Sequence, residues 1–385
     1  MGIRDNLSKS EKLKKIRAAN KKFIKNYKLE TNPNVKLGIL AEDETIGNLR
    51  QIKTGIVPID VLTGGLVVGL PNVWYGGPGC GKSTMVMNAI SYLQKTHEAF
   101  ALYANQEKSF DRKYAEKLEV DPTMIEVAEF ETTEQGLDKL SSCANGEDPV
   151  DIAVIDTLQA LSPEGELRKS TGKDKSVADN TMALIPRLYS QFLRMYTSKN
   201  TGLTLLLISQ VRTAGIGGVG NPYEGMTGGN AIKHYTQLVL RITKSTSSTN
   251  WPYAVAKLPD NSFTVNFRID KIKGFGRYDG LTIRGYFVSG KFDRRFNIIA
   301  IAKDLGIHDG KTFTYPNPED PSKMIEYSAR GLNEMINGAD NRRLPDEALE
   351  YMESLLEPEF LKKVNLEDAD VIDPDFVPED ETESE

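Results

Sequence analysis

Thiol, imidazole and indole are scarce in this chain: of 385 residues, two are cysteine, three histidine and two tryptophan. Cys80 and Cys143 lie far apart with no partners, which excludes a disulfide framework and a thiolate metal site. The scattered His97, His234 and His308 argue against zinc chemistry in the same way. Long apolar runs are missing too. None approaches the ~20 residues that a membrane span needs, so no membrane partner is expected. The opening "MGIRDNLSKSEKLKKIR" has no apolar signal core, and Asn6 stands where a myristoylation signal needs Ser or Thr; the expected location is the cytoplasm or its equivalent. What remains is an ordinary soluble composition, 39% hydrophobic and 26% charged, long enough for one large domain with appendages or for two.

The net charge of −6 conceals an asymmetry. Residues 1–30 hold ten Lys or Arg against three acids, whereas Glu357–Glu385 hold twelve acids against Lys362 and Lys363. Without that end, a net −10, the body carries about +4. A basic body with an acidic, Pro-containing end reads as a folded domain followed by a disordered tail at 357–385, either a competitor with polyanions for basic surfaces or a solubilising terminus.

Leu7, Leu13, Ile16, Phe23, Ile24 and Tyr27 recur near helical spacing among lysines until "TNPN" ends the pattern, which predicts an amphipathic helix within an arm at 1–47. From "TGIVPIDVLTGG" onward, apolar runs alternate with helical patterns. The strand candidates are "NVWYG", "AFALYA", "MIEVAEF", "DIAVID" and "LTLLLIS"; the helices are Lys82–Leu93, Asp111–Leu118 and Ala178–Ser198. That rhythm predicts an α/β core at 48–293 with a mainly parallel sheet covered on both faces. "FTVNFRIDKIK" and "LTIRGYFV" read as antiparallel additions to it, and a small mixed α+β segment at 294–356 closes the folded part.

"GGPGCGKST", Gly76–Thr84, fits the phosphate-loop pattern directly after a strand and before a helix. In such a loop Gly76, Gly77, Pro78, Gly79, Cys80 and Gly81 curve backbone amides around phosphates. Lys82 reaches the β and γ phosphates, Ser83 ligates Mg²⁺, and Thr84 ends the nucleotide-binding stretch at the helix start. The implied ligands are ATP and Mg²⁺. "DIAVIDT" supplies Asp156 at the end of a second strand as the acid for the Mg²⁺ shell, acting through water, with helix or turn capping as the alternative. Hydrolysis further requires a group that orients or deprotonates water, and Glu107, just past the strand after the phosphate loop, is the candidate. Further on, "SQVRTAGIGGVGNPYEGMTGGN" places seven glycines between Gly215 and Gly229, a loop whose backbone freedom is entropically expensive.

Taken together, "TGIVPIDVLTGGL", "EKSFDRKYAEKLEVD", "VDIAVIDTLQALSPEGEL" and "SQVR…GNP…TGGNAIKHY" resemble the RecA recombinases, phage UvsX-type proteins included, from about Lys21 to Leu356. The resemblance implies a RecA-like ATPase core that forms filaments on single-stranded DNA and exchanges it with a homologous duplex, helped by single-strand-binding and loader proteins. It implies Glu107 as the water-activating base, Asp111 and Tyr114 near the adenine, and Gln210 as the sensor of the γ-phosphate. Lys271 and Lys273 in "DKIKG" would reach ATP held by a neighbouring subunit. Two DNA loops are implied, at about 164–178 and 211–228. Arg168 and Lys169 fall in the first, Arg212 and Gly228 in the second, and Gly229 and Asn230 open the helix after it. Arg187 and Arg194, two turns apart on one helical face, match further positions that contact DNA phosphates.

The chain departs from the family at Asn105, where an acid is common, at Val219, where a bulky aromatic precedes "GNP", and at His234, where an aromatic is usual. Ile216 and Tyr223 are the substitutes for the missing wedge. Two other functions use comparable parts: a hexameric helicase or DNA motor of the same core, and a non-catalytic coating or mediator protein switched by ATP. "DKIK" and the small C-terminal segment speak against the first, Glu107 against the second.

Overall fold

The run Leu203–Ser209 is apolar without alternation, as a strand covered on both faces must be, and it forms the middle of a parallel sheet. The computed structural model describes residues 8–28, 49–158, 160, 162–167, 184–199, 201–214, 223–226, 229–245, 251–252, 259–275, 277–310, 312–328 and 344–364. They divide into two compact units. The first comprises the chain to Lys53 with Leu66–Pro78 and Ala89–Val239; the second comprises Thr54–Gly65, Gly79–Asn88 and everything from Leu240.

The first unit opens with α1 (Lys9–Asn26), whose start is closed by a capping box between Ser8 and Glu11. Its strands are β1 (Gln51–Ile52), β2 (Leu66–Val67), β3 (Pro71–Gly76), β4 (Ala101–Asn105), β5 (Ile125–Ala128), β6 (Ile152–Asp156), β7 (Thr204–Ala214) and β8 (Tyr223–Met226). Five of them lie parallel in the order β3-β7-β6-β4-β5. Asn72, fully buried, ties β2, β3 and β7 together: its Nδ2 donates to the carbonyls of Val67, Leu70 and Leu205, and its Oδ1 accepts from Val67 N at 2.9 Å.

Leu205 and Leu207 of β7 and Ala153 and Ile155 of β6 share one core with Leu137 and Leu140 of α5 (Thr133–Asn145) and Leu193 of α7 (Leu184–Thr197). Each fully buried leucine contributes roughly 1.5–3 kcal/mol. α7 is described from Leu184, and 178–183 of the expected helix lie outside the described residues. Its buried phenols find partners, Tyr196 donating to Leu203 O at 2.8 Å and Tyr189 to Leu158 O at 3.2 Å. Among the described residues no helix is long and apolar enough to cross a membrane.

The second unit holds α2 (Val57–Thr63), the first turns of α3 (Lys82–His97), β9 (Leu238–Ser245) from Leu240 on, β10 (Phe263–Ile272), β11 (Thr282–Phe287), α9 (Arg294–Leu305), the hairpin β12 (Thr312–Pro316) and β13 (Met324–Ser328), and α10 (Asp346–Lys363). Between α3 and α9 come α4 (Arg112–Lys117), α5, α6 (Glu164–Leu167), α7 and α8 (Gly229–Tyr235), all in the first unit. The Asp60 carboxylate accepts from Thr54 N at 2.7 Å, Thr54 Oγ1 at 2.8 Å and Gly55 N at 2.9 Å, so "TGIVPID" folds as one buried turn leading into α2. β10 and β11 pair antiparallel, as expected. Asn297 of α9, fully buried, accepts from Tyr286 N at 2.8 Å and donates to Tyr286 O at 2.9 Å, which joins that helix to β11.

Two boundaries differ from expectation. α10 continues past Leu356 to Lys363, through Pro358, because Phe360 is buried and holds the last turns against the unit. The stems of the glycine-rich loop are strands: Val211–Ala214 of β7 pair antiparallel with Tyr223–Met226 of β8. Residues 215–222 lie outside the described residues, Ile216 and Val219 among them.

Candidate active site

Strand ends build the site in the first unit. Gly76 closes β3 opposite Gln210 of β7, and Asn105 closes β4 opposite Asp156 of β6. With the order β3-β7-β6-β4, the phosphate-loop entrance, Gln210, Asp156 and Glu107 all arrive at the C-terminal edge of one parallel sheet. Ligands of open α/β sheets bind outside that edge.

Glu107 is the node. Its Oε1 accepts from Gln210 Nε2 at 2.8 Å and from Thr157 Oγ1 at 2.8 Å. Neither donor reaches Oε2, and the residue is exposed. The backbone is anchored as well: Asp156 O accepts from Gln106 N at 2.9 Å and from Glu107 N at 3.3 Å. The Asp156 side chain, 2% exposed, accepts from the Tyr103 hydroxyl. The peptide between Asp156 and Thr157 is cis.

Asn105 accounts for one departure from the family. Its Oδ1 accepts from Ser109 N at 3.0 Å and Phe110 N at 3.1 Å, closing the turn that carries Glu107, while its Nδ2 donates to Glu129 Oε1 at 2.8 Å. An aspartate here would set a second carboxylate against Glu129, so the amide is the side chain this turn needs.

The phosphate loop enters from Gly76, Gly77 and Pro78, and Gly79–Thr84 belong to the second unit. Gly81 has φ +86°, and a Cβ there would lie 2.3 Å from Phe287 Cζ, so both conformation and space demand glycine. Gly81 O accepts from Met85 N at 2.9 Å, the first turn of α3. Lys82 is buried, Ser83 exposed and Thr84 half-buried. Cys80 is buried with Sγ 3.7 Å from Lys82 Nζ; burial raises the thiol pKa, against the pull of the Lys82 charge, which leaves no reactive thiolate. Within the second unit the loop brings together an ammonium, a hydroxyl and a glycine-shaped turn, a set suited to phosphates and a hard cation; within the first unit Asp156 and Glu107 supply carboxylate oxygens.

The remaining candidates are distributed as follows. Asp111 caps α4, its Oδ1 accepting from Tyr114 N at 3.1 Å, and Tyr114 is half-buried. Lys271 is the next-to-last residue of β10 and Lys273 follows the strand, in the second unit; burial and the Lys273 charge lower the Lys271 pKa, opposed by Asp279. Arg187 and Arg194 are exposed on α7, away from its buried Tyr189, Phe192, Leu193 and Tyr196. Arg212 lies on β7 and Tyr223 on β8, and Gly229 and Asn230 begin α8. The His234 ring packs edge-on against Tyr235 at 5.2 Å. Arg168, Lys169 and Gly228 lie outside the described residues.

Sequence reasoning missed Thr157, whose contact with Glu107 is long-range, and a basic face of the second unit. There Arg241, Arg268 and Arg284, one from each of β9, β10 and β11, line a cavity of about 750 Å³ with Asp304, Phe360 and Lys363. The signal was available for two of them: Arg241 stands between buried Leu240 and Ile242, and Arg268 between buried Phe267 and Ile269.

A parallel sheet with a strand-end aspartate and a hydrogen-bonded glutamate at one edge, in a chain that carries the phosphate-loop sequence straight after β3, defines a phosphate-loop NTPase core. The family model for the RecA N-terminal domain matches residues 16–260. The chain is 34% identical to Protein RecA of Bacteroides thetaiotaomicron over 246 residues, 62% of this chain and 69% of the relative. It is 35% identical to Protein RecA of Cytophaga hutchinsonii over 240 residues, 61% and 63%, and 31% identical to Protein RecA of Delftia acidovorans over 240 residues, 61% and 62%. The chain belongs to the RecA family.

Proposed function

We propose that the protein is an ATP-dependent DNA recombinase that forms filaments on single-stranded DNA, pairs the coated strand with a homologous duplex and exchanges strands. The observation that carries this reading is the convergence of Thr157 and Gln210 on one oxygen of Glu107. A carboxylate held this way is a fixed base, and one of its holders sits on the strand that runs into the β7–β8 ribbon.

In the proposed reaction Lys82 opposes the charge of the β and γ phosphates, and Asp111 and Tyr114 border the adenine. Ser83 directly, and Asp156 through water, would hold Mg²⁺, which when bound neutralises phosphate charge. Glu107 Oε2 takes a proton from water as the water oxygen attacks the γ-phosphorus. The bond between that phosphorus and the bridging oxygen breaks, releasing ADP and phosphate. Gln210 turns from Glu107 to the γ-phosphate when ATP binds, and its strand carries that change to the glycine-rich loop. Lys271 and Lys273 act on the nucleotide of a neighbouring copy, so self-association completes the site.

Arg187, Arg194, Arg212, Arg168 and Lys169 take DNA phosphates, as do the amides of Gly228, Gly229 and Asn230. The arginine face of the second unit offers a further phosphate-binding surface. Binding of this kind has no sequence preference and weakens steeply with salt. Single-strand-binding and loader proteins are the expected accessory partners. The deciding assay is ATP-dependent D-loop formation between a single strand and a homologous duplex. Product with the homologous but not the nonhomologous duplex is expected. Unwinding of a forked duplex with no D-loop product would replace the reading with a motor.

A further inference from the structure

We infer that Tyr103 is a positioning residue for the Asp156 carboxylate, and so sets how firmly the protein holds the divalent cation that accompanies its nucleotide. This rests on the metal role proposed above for Asp156. β4 and β6 run parallel with Tyr103 opposite Val154, so the phenol extends two residues along β6 to reach Asp156 on the same face of the sheet. Its hydroxyl donates to Oδ2 of that carboxylate at 2.5 Å. Tyr103 is 1% and Asp156 2% exposed, so water does not compete freely for this bond.

The phenol is itself held. Phe110 packs on its ring at 5.4 Å, and Phe110 N donates to Asn105 Oδ1 at 3.1 Å, within the turn that carries Glu107. One structure therefore fixes both acids, Asn105 closing the turn of Glu107 and steadying the ring that grips Asp156.

A carboxylate that acts on a cation through water must present an oxygen in one direction. Left to itself it rotates about its last bond. A hydrogen bond to Oδ2 stops that rotation and leaves Oδ1 aimed by the geometry of the strand end. Because phenol is neutral, it fixes the carboxylate without cancelling its charge, as an ammonium in the same place would. Partners that orient a metal-binding side chain commonly matter as much as the ligand itself.

The test is Tyr103→Phe in the full chain, which keeps ring and volume and removes one oxygen. Equilibrium binding of a fluorescent ATP analogue is titrated with Mg²⁺, alongside binding in EDTA and a thermal melt. The half-saturating Mg²⁺ concentration is expected to rise ~10-fold or more, the range seen when such outer partners are lost, with EDTA binding and the melt unchanged. An unchanged Mg²⁺ midpoint overturns the inference, as does loss of cooperative melting, which would assign the hydroxyl to the core. Asp156→Asn separates the two levels. If it shifts the midpoint and Tyr103→Phe does not, only the role of Tyr103 fails. If neither shifts it, the metal role of Asp156 falls first and the inference with it.

Discussion

Gln210 Nε2 donates to Glu107 Oε1 at 2.8 Å, joining the last residue of β7 in register with β3 to the acid that follows β4. In the proposed reaction Glu107 is the base and Gln210 the sensor, so the pair would have two states, one engaged and one released when Gln210 finds phosphate. Glu107→Gln keeps the shape of the side chain and its bond-forming oxygen but cannot take a proton. Hydrolysis in saturating single-stranded DNA should fall by roughly 10²–10⁴-fold, with nucleotide binding retained. A parental rate in this variant would show that the base lies elsewhere.

Thr157 holds the same oxygen from the other side. Thr157→Val preserves the branched shape and removes the hydroxyl, so among the described residues Gln210 is the side-chain donor left to Glu107. The loss of one hydrogen bond to a charged group, about 1.5–3 kcal/mol, should appear as a roughly tenfold or greater drop in kcat with KM for ATP unchanged. An equal change in KM instead would mean that Thr157 serves binding.

Asn105→Asp tests why this chain lacks the family's usual acid. The new carboxylate would face Glu129, 2.8 Å away in the present pairing, while its turn donors Ser109 N and Phe110 N remain. Stability should fall by about 1–3 kcal/mol, and ATPase activity should fall with it as the Glu107 turn loosens. Glu129→Gln in the same chain should restore most of both. If the double variant melts no higher than the single one, the repulsion is not the cause.

The central strands were legible because a strand covered on both faces is apolar throughout: Leu203–Ser209 and Ile152–Asp156 declare themselves without any partner in view. The phosphate loop was legible because its chemistry fixes residue types over nine positions. What escaped was whatever depends on distant residues. Thr157 has no local signature, since only the folding of β4 beside β6 brings it to Glu107. The pairing of β7 with β8 was hidden by glycines that read as loop. The end of α10 was hidden by Pro358, which removes a backbone donor and reads as a stop.

α1 displays Ile16 at 47%, Phe23 at 46% and Tyr27 at 67% exposure, an apolar stripe among lysines. Such a stripe suits a second copy of the chain better than water. Deleting residues 1–30 should weaken self-assembly at least tenfold while nucleotide binding by the core stays within about twofold, as if the stripe supplied roughly 1.4 kcal/mol or more of the association. Filaments of parental length and number under the electron microscope would remove the arm from the interface.

The acidic end must be cut at the right residue for its role to be measured. Truncation after Leu356 would remove Phe360, 4% exposed and seated in the second unit, together with the Arg277–Glu357 ion pair. Losing a buried phenylalanine costs about 3–5 kcal/mol, enough to mask any effect on DNA. Truncation after Val364 spares both and removes ten acids with no bases. Lys363 and Val364 border the arginine-lined cavity, a surface opposite in charge to the acids that follow them in sequence. If they compete with DNA there, truncation should tighten duplex binding several-fold at low salt, and the gain should shrink as salt screens it. Arg268→Glu in the truncated chain should then reverse the gain. Equal duplex affinity across the salt range, with and without residues 365–385, would leave the tail only a solubilising role.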